Sequence, residues 1–429
     1  MKIFNKKTLL AVLMIAVMMI SVLVACSSPA DDTKTPTDTT TAPTGTPNET
    51  TADPEGEKEP EEEKNSPFKT IEKPNNCTFE MVFKAPEGNK RQIVLDYMRK
   101  MAEIEWTPAV DFTTTHAPGE EKDYTVQLEY KAGKKYYGVP YANTKADYYQ
   151  FQEYLDGNTF SCDNYYYNHI IGNHCSSSMF LAYQQIIPVG YGTLRPSTAR
   201  KGIFKLCGDL KNPGDGTWYS KDCFELNGQE AVFEAYTTMD AGDILFKCIS
   251  GSGHTRMVSK VEVTRNAGGK LIPSRCFAYV IEQTNAWYDA NRNSTWWVDK
   301  KYAFPDLYNK EFMPITLDAF FDDSEITDAC IWFTGNNKAE DLTTKITGTV
   351  SSNYPINYVL IKIEDTNGNI VKKNNLNNLS ECTSVDLYRE MFYDLKMSDL
   401  PAGSYKYTLT AGIARGNCTI ETIDFTVAK

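Results

Sequence analysis

Cys175, His254 and the polar pair Glu282-Gln283 are the residues whose types and order could carry nucleophilic chemistry in this 429-residue chain. Such chemistry needs a thiolate, a base to manage the proton, and a polar group that fixes the orientation of the base. Cys175 lies in Gly172-Asn173-His174-Cys175-Ser176-Ser177-Ser178, ahead of a mostly apolar stretch from Met179 to Ile187. Met179, Tyr183 and Ile186 recur at i, i+4 and i+7, the spacing of a helix face turned to a core, and Pro188 stops the pattern. Asn173 is the expected N-cap, which puts Cys175 in the first helical turn. Unpaired amides and the helix dipole there favour an anion, so a thiol loses its proton more readily.

Four histidines could serve as the base, at positions 116, 169, 174 and 254. His174 adjoins the cysteine, but neighbouring residues on a helix project about 100° apart, which makes it a poor base for that thiol. His116 sits in a Thr/Pro/Gly-rich stretch and His169 just precedes the cysteine helix. His254 follows the Gly251-Ser252-Gly253 turn and opens an alternating stretch that runs to about Thr264. A strand beginning there can present an imidazole at a sheet edge. The third residue is expected where the apolar run Phe277–Ile281 turns polar. Glu282 and Gln283 point to opposite faces of a strand, so only one of them can reach His254. Asn285 lies just beyond.

Positioning these residues requires a helix and an antiparallel meander. Ile244-Leu245-Phe246 follows the turn Asp240-Ala241-Gly242-Asp243, the His254 strand comes next, and Cys276–Gln283 is the third strand. Three strands after a cysteine-bearing helix predict an α+β layer arrangement. Ahead of them, Arg91–Trp106 reads as an amphipathic helix with Val94, Tyr97, Met101 and Ile104 on one face. Residues 188–240 read as irregular, and 296–330, rich in aromatic residues, as the closing stretch of the domain. From about Leu342 the texture changes to short alternating strands with an Asn367-Gly368 hairpin turn, the signature of a β-sandwich of about 90 residues.

Lys2, Lys6 and Lys7 precede an apolar run from Leu9 to Ala25, as in a signal peptide. Leu23-Val24-Ala25-Cys26 resembles a bacterial lipobox, which implies cleavage before Cys26 and a lipid thioether on its sulfur. Residues 27–66 are Thr, Pro, Asp and Glu with almost no large apolar side chain, and read as a disordered tether. The net charge of −12 divides into +3 for residues 1–26, −8 for 27–66 and −7 for the remainder. No Lys/Arg block points to nucleic acid. Eleven cysteines without CxxC pairs suggest neither zinc nor a readable disulfide framework. The expected organisation is 1–25 signal peptide, 26–66 lipidated cysteine and tether, 67–335 hydrolase domain and 336–429 all-β module.

Over roughly residues 88–320 the chain resembles the NlpC-type cell-wall peptidases and their CHAP amidase relatives. Gly138-Val139-Pro140-Tyr141 is similar to their G-x-P-Y, Cys175-Ser176-Ser177 to their D-C-S-[GS], and Gly242-Asp243-Ile244-Leu245 to their G-D-L strand start. Gly253-His254 falls on the catalytic histidine, and Val280-Ile281-Glu282 on the third residue. His174 stands where the family has Asp, and the gaps from Tyr141 to Cys175 and from Cys175 to His254 are longer than the family's. The C-terminal part resembles the immunoglobulin-like modules of bacterial surface proteins, with Leu400–Tyr405 as the most typical turn.

The resemblance implies a papain-like α+β fold, a helix bearing Cys175 packed on an antiparallel sheet, followed by an immunoglobulin-like sandwich. It also implies Cys175 as nucleophile, His254 as base and Glu282 (or Gln283) as orienting residue, with Tyr141 and Ser176 at the oxyanion and substrate side. No metal or organic cofactor is required. The expected activity is that of a lipid-anchored, extracytoplasmic cysteine hydrolase cleaving amide bonds in peptidoglycan peptides. Alternatives are an N-acetylmuramoyl-L-alanine amidase of CHAP type, or a non-catalytic surface lipoprotein that binds glycan or peptide. The expected partners are peptidoglycan or another cell-wall polymer, and the membrane through Cys26.

Overall fold

A computed structural model describes residues 70–120, 124–190, 203–214, 218–249, 252–288, 293–379 and 382–428. The signal-peptide, Cys26 and tether expectations lie outside the described residues, as does Gly251. No helix among the described residues is long and apolar enough to cross a membrane.

The expected papain-like α+β class is corrected. Among the described residues strand accounts for 36% against 21% helix, arranged in several sheets with few helices. Among the described residues there are five sheets: one of six strands, three of four, and one of two. The sequence misled in two ways. Short strands between Glu105 and Phe160 carry too few residues to show alternation, for instance Tyr136–Tyr137 and Thr159–Phe160. The cysteine helix is also shorter than its apolar run, ending at Tyr183 after nine residues. Every residue from Ser177 to Tyr183 is buried, so the run marks a helix enclosed on all sides, and Ile186 lies beyond its end.

The site sheet is built from six strands: Phe204–Leu206, Ile244–Ile249, Ser252–Glu262, Phe277–Gln283, Trp296–Ala303 and Met313–Leu317. Across the sheet they run in the order 296–303, 277–283, 252–262, 244–249, 313–317, 204–206, all neighbours antiparallel. The middle of this order is the meander expected from the sequence. The last strand, 204–206, comes from the stretch read as irregular and pairs with 313–317. That stretch also holds a helix, Ser220–Thr237, which Gly228 kinks at φ 76°. Its glycine and scattered polar residues hide the helical period.

Lys90–Glu103 forms the first described helix. Asn89 caps it, its side-chain oxygen accepting from the amides of Arg91 and Gln92 at 2.9 and 3.2 Å. Its face of Val94, Tyr97, Met98 and Met101 is buried.

Two hydrophobic cores follow one another along the chain. The first gathers Val94 to Leu317 around the site sheet. The second, from Ala329 to Phe425, lies among residues of two four-stranded antiparallel sheets. Strands 79–83 and 329–334, grouped with the hydrolase domain in the sequence analysis, pair with each other, and 329–334 lines the second core. The Asn367-Gly368 hairpin joins Tyr358–Asp365 to Ile370–Leu376. At the same end, where Tyr405 pairs with Asp365, the Tyr405 hydroxyl donates to the Pro401 carbonyl at 2.9 Å.

Candidate active site

The helix Cys175–Tyr183 begins one residue later than Asn173 suggested. His174 is its N-cap: the ring Nδ1 accepts from the Ser177 amide at 3.5 Å, and the Ser177 hydroxyl accepts from the His174 amide at 2.8 Å. This reciprocal pair satisfies donors that a helix start otherwise leaves open. Asn173 instead stitches the segment to its neighbours, its amide donating to the Ala146 carbonyl at 3.0 Å. Cys175 therefore occupies the first helical position, partly exposed, where the dipole favours a thiolate.

The helix lies against strand 252–262, and strand geometry does the rest. His254 and Arg256 are two residues apart on that strand, so they share a face. Pairing of Met257 with Ile281 sets Arg256 opposite Glu282, with His254 diagonal to it. His254 Nε2 and Glu282 Oε2 are 2.5 Å apart. With Nε2 so engaged, the other ring nitrogen, Nδ1, is the one left to meet the Cys175 thiol, which hydrogen-bonds to His254. Gln283 points to the opposite face and donates to the Val139 carbonyl at 2.7 Å. Period-two alternation thus selects Glu282 as the partner of His254.

The charges of these groups support one another. Burial works against ionisation of Cys175, but hydrogen bonds to His174 and His254 outweigh it and hold the thiol well below its ordinary range. Elsewhere burial prevails, pushing Cys418 up to about 12, and Cys223 to about 11 against a hydrogen bond from Asn227. For His254 burial favours the neutral ring. Hydrogen bonds to Cys175 and Glu282 reverse that and raise it to about 9. Glu282, 1% exposed, is held down at about 2 despite burial, by His254, Arg256 and Tyr302. The shifts all run in the direction that favours a thiolate–imidazolium pair backed by an ionised carboxylate.

Two residues that sequence reasoning missed complete the site. Arg256 Nε donates to Glu282 Oε2 at 2.8 Å, and the Tyr302 hydroxyl donates to Glu282 Oε1 at 2.6 Å. The signal available for Arg256 was its i+2 offset from His254. Tyr302, twenty residues past Glu282 on a strand not assigned from the sequence, had none.

The other expected site residues lie close by. Tyr141 is placed by its backbone, which bridges to Asn173 at the start of the cysteine helix. Its ring stacks on Tyr167 at 5.5 Å, and its hydroxyl bonds to that of Tyr167. Ser176 Oγ and His174 Nδ1 are 3.2 Å apart. Two glycines permit this crowding: Gly138, at φ 82°, faces the indole of Trp296, and Gly172 lies against the Pro140 carbonyl, where a Cβ would clash. Asp243 of the G-D-L-like stretch is structural. It is 1% exposed and pairs with Arg91 Nη1 at 2.7 Å, tying helix 90–103 to the sheet. All ten cysteines among the described residues are free.

No protein-family model matches this chain, and no curated protein is similar to it. Among solved structures, the tetra-tandem repeat in the extending region of a large adhesion protein is similar to it at 14% identity and a TM-score of 0.17. That likeness spans 43% of this chain and 41% of the other, less than half of either, and carries no argument about fold or activity.

Proposed function

We propose that this chain is a cysteine-dependent hydrolase that cleaves amide bonds through a thioester, acting outside the cytoplasm from a lipid anchor on Cys26. The observation that carries the reading is the position of His254, hydrogen-bonded to the Cys175 thiol on one side and to Glu282 at 2.5 Å on the other. A cysteine at a helix start, ionised by an imidazole that a buried carboxylate orients, is the arrangement covalent acyl transfer requires.

In this mechanism the Cys175 thiolate adds to the amide carbonyl carbon, and the carbonyl π electrons move onto oxygen. The helix N-terminus at Cys175 favours the resulting negative charge. As the C–N bond breaks, protonated His254 gives its proton to the leaving nitrogen. Neutral His254 then takes a proton from water, whose oxygen attacks the thioester. The acid product leaves, with Cys175 as thiolate and His254 as imidazolium again. Glu282 holds the imidazole throughout.

The motif resemblance supplies the substrate class, peptidoglycan peptides, and the lipobox and acidic tether supply the location. The test is incubation of purified protein with cell-wall sacculi, with and without Cys175→Ala, and mass analysis of the released fragments. New peptide N-termini that depend on Cys175 support the reading, and free lactyl ends would identify the amidase variant. Retention on sacculi with no cleavage by either form would replace it with a binding protein.

A further inference from the structure

Resting on that reading, we propose that Arg256 is a positioning residue of the site: the built-in counter-ion that lets Cys175, His254 and Glu282 all carry charge together in a mostly buried place. The four groups, thiolate, imidazolium, carboxylate and guanidinium, sum to zero. Without Arg256 the cluster carries an unbalanced negative charge, which burial penalises heavily.

The geometry around Arg256 is specific to this role. The residue is 7% exposed, and its Nε shares Glu282 Oε2 with His254. Its guanidinium carbon lies 4.1 Å from the centre of the Tyr302 ring and 4.0 Å from that of Phe312. Those ring faces hold the cation in place of hydrogen-bond acceptors, and Nη1 has no hydrogen-bond partner among the described residues. Tyr302 acts twice: its ring lies beneath Arg256 while its hydroxyl donates to Glu282 Oε1. Phe312 likewise touches both halves of the site, its ring centre 6.2 Å from that of His254 in an edge arrangement. Salt bridge and rings together fix which carboxylate oxygen His254 meets, and hence the direction in which the imidazole faces the thiol.

Every titratable or charged group around the cluster enters the balance. Cys175 and His174 come from the helix start, His254 from strand 252–262, Glu282 from strand 277–283 and Tyr302 from strand 296–303. Tyr288, in the segment between those last two strands, acts on Tyr302 only electrostatically. Arg256 supplies the guanidinium on Glu282, its Nε 2.8 Å from Oε2.

The test uses the full chain and reads the thiol directly, by iodoacetamide labelling of Cys175 across pH 4–10 with peptide mass mapping. Circular dichroism monitors folding. Arg256→Gln should move the labelling midpoint upward by about one pH unit, a roughly tenfold loss of thiolate below the midpoint. Arg256→Lys, which keeps the charge, should recover most of that shift. The double variant Arg256→Gln with Glu282→Gln removes both charges, and should bring the midpoint back toward the parent. It also serves if the single glutamine variant does not fold. A folded Arg256→Gln protein with the parent midpoint overturns the proposal and leaves the hydrolase reading standing. So does a double variant that stays displaced. Ordinary thiol behaviour of Cys175 in the parent overturns both.

Discussion

Two buried carboxylates, one in the site sheet and one at the seam between the two cores, are pushed in opposite directions by the same fold. Glu282 is held at about 2, whereas Asp147, fully buried, is raised to about 6. Glu282 faces His254 and Arg256, two cations, and a tyrosine hydroxyl. Asp147 caps helix Tyr148–Gln152 through the Gln150 amide at 2.6 Å and accepts from the Asn357 side chain of the second module at 2.7 Å. Burial dominates there, and Lys100 offsets it only weakly. Burial sets the cost of a charge, and the partner decides whether the charge survives. The carboxylate of the candidate site is supplied with cations; the seam carboxylate is supplied with dipoles.

That contrast can be broken first at its strongest point. Cys175→Ala should lower amide cleavage by at least about 1,000-fold while leaving the melting temperature close to the parent's, as measured by fragment release and by thermal unfolding. Next, Glu282→Gln keeps the shape but loses the charge that orients and stabilises the imidazolium. Its rate should fall by about 100- to 10,000-fold, and the alkaline limb of the parent's pH–rate profile, set by His254 near 9, should move to lower pH.

The seam gives a third prediction, with opposite sign. Asp147 binds its proton more tightly folded than unfolded, so its contribution to stability is greatest below its ordinary 3.8. It declines as pH rises to about 6, and stays low above. Relative to the parent, Asp147→Asn should therefore gain stability as pH is raised from 4 to 7, by up to about 3 kcal/mol. A denaturant midpoint difference that does not change with pH would show the carboxylate to be neutralised by some other means. Glu282 runs the other way: its stabilisation is present above 4.5 and is lost as pH falls towards about 2.

Smaller effects sharpen the comparison. Tyr302→Phe leaves Glu282 Oε1 without its donor and should cost about 1–3 kcal/mol of stability with a modest rate loss. Asn285→Ala should leave both rate and stability within error. Its exposed side chain donates to the Thr125 carbonyl and stands outside the network on Glu282.

The C-terminal module is held to the first core by more than Asp147. Arg415 donates from Nε to the Gln185 carbonyl at 3.1 Å, and Gln185 donates back to the Ala414 carbonyl at 2.7 Å, just past the end of the cysteine helix. Lys362 pairs with Glu153 at 2.8 Å, and Asn417 donates to the same carboxylate at 3.0 Å. A sequence that reads as a generic β-sandwich gives no hint of these bonds, because they join residues more than 200 positions apart.

Sequence by itself determined what is local. The period-two pattern from Ile244 to Gln283 set three consecutive antiparallel strands, since alternation is a property of each strand alone. The cysteine's place at a helix start followed from the stop at Pro188 and the polar residues ahead of Met179, to within one residue at the cap. Tertiary structure decided what depends on register and enclosure. It made the fold strand-dominated, because two- and four-residue strands are recognisable only by their partners. It chose Glu282 over Gln283 by turning one of them towards His254. It brought Arg256 and Tyr302 onto that carboxylate, an arrangement set by cross-strand neighbours, which no spacing along the chain records.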